Sequence, residues 1–382
     1  MDRSHLSQDA LKHLTKLFTE AKWFYNYCLG HENIDDSNTT IKVVPVKVKD
    51  EFEDRTLNVL TAQMKQAVKN RIFNSMSALK VLKQHGRRTG KLKFKGEVNS
   101  IPLKQYNKTF FIDKENSKVG LQGWKPWIRV VGLEQMPAEA EIACATLVRK
   151  VNDFYFKITT YTAKQEKVVP NASIGIDFGC QTQMTFSDGT KVEFQVPPSK
   201  RLRRLDRKIM KNKNDSKKKR QDRDKRRKEY EKLTNKKRDI KNKIVNAVTS
   251  NFKYVCFQDE SIHAWHAGRH GKKIQNSGIG GILSDLKHKS ATPCEVPKFF
   301  PSTKMCPNCG QLNVLRLSDR IFNCDCGYSK DRDWKSAICI ETEGFKQIPV
   351  DDRKFTVQEN IPSVFFDKLS KISNIKVSKV SS

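Results

Sequence analysis

Cys306 and Cys309 form a Cys-x-x-Cys pair, Cys324 and Cys326 form a tighter Cys-x-Cys pair, and fourteen residues separate the two. No other stretch constrains the fold as much. A Cys-x-x-Cys turn lets two thiolates grip one tetrahedral metal, and the spacer suffices for a short ribbon. The four thiols are therefore expected to hold one structural zinc ion. The second pair is tighter than usual, which leaves the coordination geometry open. Asp331 and Asp333 follow at five and seven residues past the last cysteine and open a helix. The ribbon thus reads as an insertion beside a catalytic carboxylate.

Charge names the class of partner. The chain of 382 residues carries 73 Lys and Arg against 42 Asp and Glu, a net charge of +31. An excess of that size points to a polyanion, nucleic acid foremost. A membrane surface is the alternative, yet no apolar run approaches the ~18–20 residues of a spanning helix. The opening residues carry no signal-peptide core. The expectation is a cytoplasmic protein, nucleoid-associated in a prokaryote-like cell, with reduced cysteines. Cys28, Cys144, Cys180, Cys256, Cys294 and Cys339 stand singly and read as small buried hydrophobes.

The first 165 residues read as a helical unit joined to a β unit. Ser7 caps a helix over about 7–29, with Leu11, Leu14, Leu17, Phe18, Ala21, Phe24 and Cys28 at helical spacing. The aromatics of Trp23–Tyr27 fit the core better than a base-stacking platform. Residues 41–48 read as a short strand. A second helix is expected over 57–83, with Leu60, Met64, Val68, Ile72, Met76 and Leu79 on one face. Lys65, Lys69, Arg71 and Lys80 lie opposite, on a face that is either solvated or in contact with phosphate. Arg87, Arg88, Lys91, Lys93 and Lys95 line a glycine-punctuated loop that enters a strand, and they are candidate nucleic-acid contacts. Short β-rich runs between 100 and 161 suggest a small barrel or meander.

The second half alternates apolar strands with charge. Ile174–Gly179 is an apolar strand ending in Asp177-Phe178-Gly179, and a hairpin follows over 184–194. Residues 200–243 hold 23 Lys and Arg against 7 Asp and Glu, about half the chain's net charge. They read as a basic helical hairpin broken near Asn212–Asp215. Lys217, Lys218, Lys219, Arg220, Arg226 and Arg227 are its candidate nucleic-acid contacts. Tyr254–Gln258 is another buried strand, and it runs into Asp259 and Glu260. His263 and His266 sit in what reads as a substrate-contacting loop, 271–277 as a mobile stretch, and 280–289 as a helix. Residues beyond Ile340 read as irregular, and 368–382 as a flexible tail.

Acids from three separate elements, Asp177, Asp259 or Glu260, and Asp331 or Asp333, suit divalent-metal hydrolysis of a phosphodiester. That chemistry needs carboxylates holding two Mg²⁺ ions about 3.5–4 Å apart. Gln258 and Glu260 point to one side of the strand and Asp259 to the other. The residues alone leave open which acid of each of the last two pairs serves.

The order strand-Asp-x-Gly, basic helical insertion, strand-Asp/Glu, then Cys-x-x-Cys…Cys-x-Cys-Gly-x-x-x-Asp-Arg-Asp resembles the split RuvC nuclease domain of the TnpB family. These are transposon-encoded RNA-guided DNA endonucleases related to miniature type V CRISPR effectors. The matching residues are Ile174–Gly179, Phe257–Glu260, Phe300–Cys309 and Cys324–Ala337, with Ala21–Asn26 similar to the family's opening helix. Many members have Asp-x-Asn-Ala-Ala where this chain reads Asp333-Trp334-Lys335-Ser336-Ala337.

The resemblance implies an α+β multidomain protein. An N-terminal β-barrel (wedge) with a helical recognition unit would fill 1–165. An RNase H-like (RuvC) α/β domain would fill 172–298 with its inserted basic arm at 200–245. The zinc ribbon would occupy 299–329, a last RuvC segment 330–345 and a tail 346–382. It also implies a guide RNA and a double-stranded DNA target beside a short flanking motif. The functional expectation that follows from the resemblance is RNA-guided, Mg²⁺-dependent DNA cleavage, with Asp177, Glu260 and Asp333 holding the two ions and Asp259 in reserve. A nuclease-inactive RNA-guided repressor and a transposition accessory protein acting without a guide stand as alternatives.

Overall fold

The computed structural model describes the chain except residues 1–5, 32–33, 35–36, 152, 164–167, 214–215, 269, 317, 349–360 and 381–382. It divides into two compact units, Met1–Gln165 and Glu166–Ser382.

The first unit begins with α1 (Gln8–Gly30), whose N-terminus is capped by the Ser7 hydroxyl accepting from the Ala10 N–H. Strands β1 (Val43–Val48) and β2 (Glu51–Thr56) form a hairpin, and α2 (Ala62–Gln84) follows under a Thr61 cap. The remaining strands are β3 (Ser100–Leu103), β4 (Phe110–Asp113), β5 (Lys118–Leu121), β6 (Trp124–Arg129), β7 (Glu141–Arg149) and β8 (Phe154–Tyr161). They pair as two three-stranded sheets, β3-β7-β8 and β4-β5-β6, so the described strands do not close into one barrel. Leu14, Leu17, Phe18, Phe24, Met64, Val68, Ile72 and sheet residues such as Ile101, Phe110 and Leu147 share one core. Phe24 and Tyr25 are buried there, as the core reading of the aromatic run expected.

Three expectations in this unit change. Helix α2 starts at Ala62 because Glu20, fully buried on α1, accepts the N–H groups of Asn58, Val59 and Leu60 and holds them in a turn. Its apolar face ends at Ile72, and Met76 is exposed. Lys65 and Lys69 are neither solvated nor phosphate-facing: their ammonium groups turn inward to the carbonyls of Ile41 and Ser37. A buried amine is tolerable when such acceptors satisfy it. The basic loop enters no strand at Leu92–Lys95, since the next strand is β3.

The second unit is built on a six-stranded sheet ordered β13-β12-β9-β10-β11-β16. Its early elements are β9 (Ser173–Phe178), β10 (Met184–Phe186), β11 (Thr190–Glu193), α3 (Lys200–Lys211), α4 (Lys217–Thr249) and β12 (Tyr254–Gln258). Short helices α5 (Ile262–Ala267) and α6 (Gly271–Ser277) precede α7 (Ile279–Lys289) and β13 (Thr292–Val296). The ribbon hairpin is β14 (Ile321–Asn323) with β15 (Ser329–Asp331), followed by α8 (Arg332–Phe345), α9 (Ile361–Ser370) and β16 (Lys376–Lys379). Strands β9, β12 and β13 run parallel, while β10, β11 and β16 pair antiparallel.

Alternation along β9 and β12 sends Ile174, Ile176, Val255 and Phe257 to one face, where α4, α7 and α9 cover them. Tyr254, Cys256, Cys294 and Val296 face the other side with Ile340 of α8. Glycines let α8 lie close to the sheet. A Cβ at Gly175 would strike the Ala337 carbonyl oxygen, and one at Gly344 would come within 2.6 Å of the Cys256 Sγ.

The sequence expectations beyond Ile340 are overturned. Helix α8 continues to Phe345, Phe365 and Leu369 of α9 are fully buried, and β16 adds an edge strand beside β11. The supposed tail 346–382 thus contributes to the second unit's six-stranded sheet. The stretches 261–266 and 271–277 are short helices rather than a loop and a mobile stretch.

Candidate functional site

Asp177 lies on the α8 face of β9, in register beside Gln258's strand, and Asp333 lies in the first turn of α8. Close packing at Gly175 brings these two elements together. Burial, then the charges of Asp333 and Glu260, push the Asp177 carboxyl well above its usual range, while Arg332 and Lys335 pull the other way. The Glu260 carboxyl is also raised, by burial and then by Asp259. Three acids from three elements therefore sit within electrostatic reach. Their oxygens do not close on one shared point: among the described residues, only the cysteine cluster has all its ligand atoms mutually within 4.8 Å.

The competing acids have other partners. Asp331 caps α8, accepting from the N–H groups of Asp333 and Trp334, and pairs with Lys191 at 2.7 Å. Asp259 is half exposed and faces Lys287 on α7, 3.3 Å away. Asp333 has Arg332 at 3.4 Å and stays partly open to solvent. Gln258 is committed to structure: its amide donates to the carbonyls of Pro297, Lys298 and Phe300 and accepts from the Ser302 hydroxyl. It clamps the chain that leads into the cysteine ribbon.

The four ribbon thiols are free, with Cys306 and Cys326 Sγ atoms 3.7 Å apart and those of Cys309 and Cys324 3.5 Å apart. A disulfide needs about 2.05 Å. A tetrahedron with ~2.3 Å zinc–sulfur bonds has edges of about 3.8 Å, close to these spacings. The Tyr328 N–H and then the Asn308 amide hold the Cys326 thiol down to about 6. The cluster fits one zinc ion.

The predicted nucleic-acid contacts divide. Arg87, Arg88, Lys91 and Lys93 are exposed. Lys95 has its backbone held by Asn26 and its ammonium 4.1 Å over the Tyr25 ring. In the arm, Lys217, Lys218 and Arg220 face solvent, whereas Lys219 is buried and donates to the Asn212 carbonyl. Arg226 pairs with Asp206 and Arg227 with Asp224. Sequence reasoning missed a cleft of about 430 Å³ between α3 and α4, lined by Arg201, Arg204, Lys208 and Lys225. It also missed Lys298, which lies near Glu260. The i, i+3, i+4 spacing of the α3 cations was the available signal.

Residues 286–340 match the family model described as Cas12f1-like, TNB domain. A "Putative RNA-guided DNA endonuclease" of Streptomyces pristinaespiralis is 24% identical over 182 residues. That alignment covers 45% of this chain and 45% of the relative, so the chain matches about half the relative's length. Among solved structures, the "Cryo-EM structure of the Cas12f1-sgRNA-target DNA complex" aligns with a TM-score of 0.52 at 14% identity. It covers 88% of this chain and 83% of that one, and it shows a shared fold. Among the described residues, no helix is long and apolar enough to cross a membrane.

Proposed function

We propose that the chain is an RNA-guided DNA endonuclease whose second unit is an RNase H-like (RuvC) nuclease domain. The observation that supports this reading is that the charges of Asp333 and Glu260 both bear on the buried Asp177 carboxyl, while Asp331, Asp259 and Gln258 are otherwise engaged. The sheet supports the fold reading: three antiparallel strands, β11-β10-β9, continue into parallel β12 and β13. The resemblance to TnpB proteins and the names of the relatives supply the guide RNA and the DNA target.

The donor set suits Mg²⁺, a hard cation that takes carboxylate oxygens. Asp177, Glu260 and Asp333 would hold two such ions, which supply an activated water and stabilise the leaving oxygen. Two ions do not require every carboxylate to meet at one point. Burial, then the charges of Asp333 and Glu260, make a bare Asp177 anion unfavourable and a cation welcome. Asp331 orients α8 so that Asp333 points from a rigid first turn. Cys306, Cys309, Cys324 and Cys326 would hold one structural zinc. Arg201, Arg204, Lys208, Lys217, Lys218 and Arg220 would contact the backbone of guide or heteroduplex, leaving sequence choice to base pairing.

The test is cleavage of target DNA with guide RNA and Mg²⁺, with metal analysis of the purified protein. About one zinc per chain and a loss of at least ~10²-fold in Asp177→Ala, Glu260→Ala and Asp333→Ala are expected, with Asp259→Ala within about threefold of wild type. Loss in Asp259→Ala with an active Glu260→Ala moves the ligand by one residue. Tight guide-dependent binding without wild-type cleavage makes the protein a repressor.

A further inference from the structure

Lys335 is fully buried, and the proposed chemistry does not use it. Its ammonium donates to the carbonyls of Ser302 at 2.8 Å, Thr303 at 2.6 Å and Met305 at 3.1 Å. Those three acceptors use all three of its protons. The charge also lies 4.1 Å from the centre of the Phe322 ring on β14. Every one of these partners belongs to the cysteine ribbon or the segment leading into Cys306. The lysine itself stands two residues past Asp333, on the same helix. Cys339, one turn further along α8, reaches the Met305 carbonyl as well.

The linkage has a direction. A buried cation is stable only while its acceptors stay in place, because nothing else there replaces the water it has lost. Ser302, Thr303 and Met305 hold their carbonyls inward only while the chain enters Cys306 at the observed angle. If the ribbon loosens, the ammonium loses its partners and must reach water, and it draws the first turns of α8 with it. Those turns carry Asp333 and pack on Gly175.

We propose that Lys335 is a positioning residue that couples the metal state of the four-cysteine cluster to the helix bearing Asp333. The proposal rests on the zinc reading of Cys306, Cys309, Cys324 and Cys326. It gives the ribbon a second role, as a support that sets the acid site.

The experiment is hydrogen–deuterium exchange on the full chain, with zinc bound and after zinc is stripped by a chelator. In wild type, stripping should speed exchange over Lys335–Ile340 by roughly tenfold or more, with α7 unchanged as the control. In Lys335→Gln, and in Lys335→Met, which keeps the buried stem, exchange there should already be fast with zinc bound. Stripping should then add less than about twofold. Protection of β9 reports that each variant is folded. A wild-type α8 indifferent to zinc overturns the proposal, and so does a folded variant that responds as wild type does. The readout is independent of cleavage. Zinc-dependent exchange in a chain that cuts no DNA keeps this coupling and removes the nuclease reading, and cleavage without such exchange does the reverse.

Discussion

Asp331 and Asp333 carry the same carboxylate two residues apart and have different work. Asp331 is an N-cap held by two backbone N–H groups and by Lys191. Asp333 adds its charge to that around Asp177. Asp331→Ala should therefore lower stability, by about 1 kcal/mol for the lost cap, and leave cleavage detectable. Asp333→Asn should abolish cleavage and leave the melting temperature of the metal-free protein unchanged or higher, because it relieves repulsion. Thermal melts in a chelator beside the cleavage assay check both. A second residue-scale prediction concerns His13 in the first unit, whose ring centre lies 3.7 Å from that of Trp124. Burial, then repulsion from Lys16, lowers its titration to about 4. Its unfolded value is near 6.5, so as pH falls from 6.5 to 4 the unfolded chain gains a proton that the folded one refuses. His13 thus removes about 1–3 kcal/mol of stability across that window, in full only below 4. The stability difference between wild type and His13→Gln, measured by denaturant at several pH values, should shift in wild type's disfavour over that interval. A difference independent of pH would refute the assignment.

At the scale of elements, legibility followed locality. Strand β9 could be read because Ile174, Ile176 and Phe178 are apolar in succession and Gly179 ends them. The hairpin of α3 and α4 could be read because Asn212 interrupts a continuous basic pattern. Strand β16 could not, since Lys376-Val377-Ser378-Lys379 is short and half charged, and its partner β11 lies nearly two hundred residues earlier. Helix α9 was hidden for the same reason: its burial depends on the rings of Phe186 and Phe252, 5.0 and 5.1 Å from that of Phe365. In the site, the types and order of the acids were legible. The partners that engage Asp331 and Gln258 were not, because Lys191 and the Phe300 carbonyl are distant in sequence. Phe365→Ala tests the corrected C-terminus. Removing a fully buried ring between two others should cost about 3–5 kcal/mol, read as a fall in the denaturant midpoint, whereas a flexible tail would show none.

For the whole molecule, the decisive property is where the charge stands relative to the packing. Each unit has its own core. The +31 excess is concentrated on an arm that buries only a thin stripe, Leu202, Leu205 and Ile209 on α3 and Ile240, Ile244 and Val248 on α4. Cations that the fold does not use are the ones free to displace counterions from a nucleic acid. On that argument the four adjacent cations of 217–220 are not equivalent. Lys217, Lys218 and Arg220 face solvent, whereas Lys219 closes the hairpin by donating to Asn212 at 3.0 Å. Replacing the three exposed cations by Gln should reduce the slope of log affinity against log salt by roughly 2–3, near 0.7–0.9 for each phosphate no longer neutralised, with little change in melting temperature. Lys219→Gln should do the opposite, lowering the melting temperature and leaving the slope within about one unit. Titrations of guide RNA from about 50 to 300 mM salt, beside thermal melts of both variants, decide it. An unchanged slope in the triple variant would mean that the arm's charge serves solubility and that nucleic acid binds elsewhere.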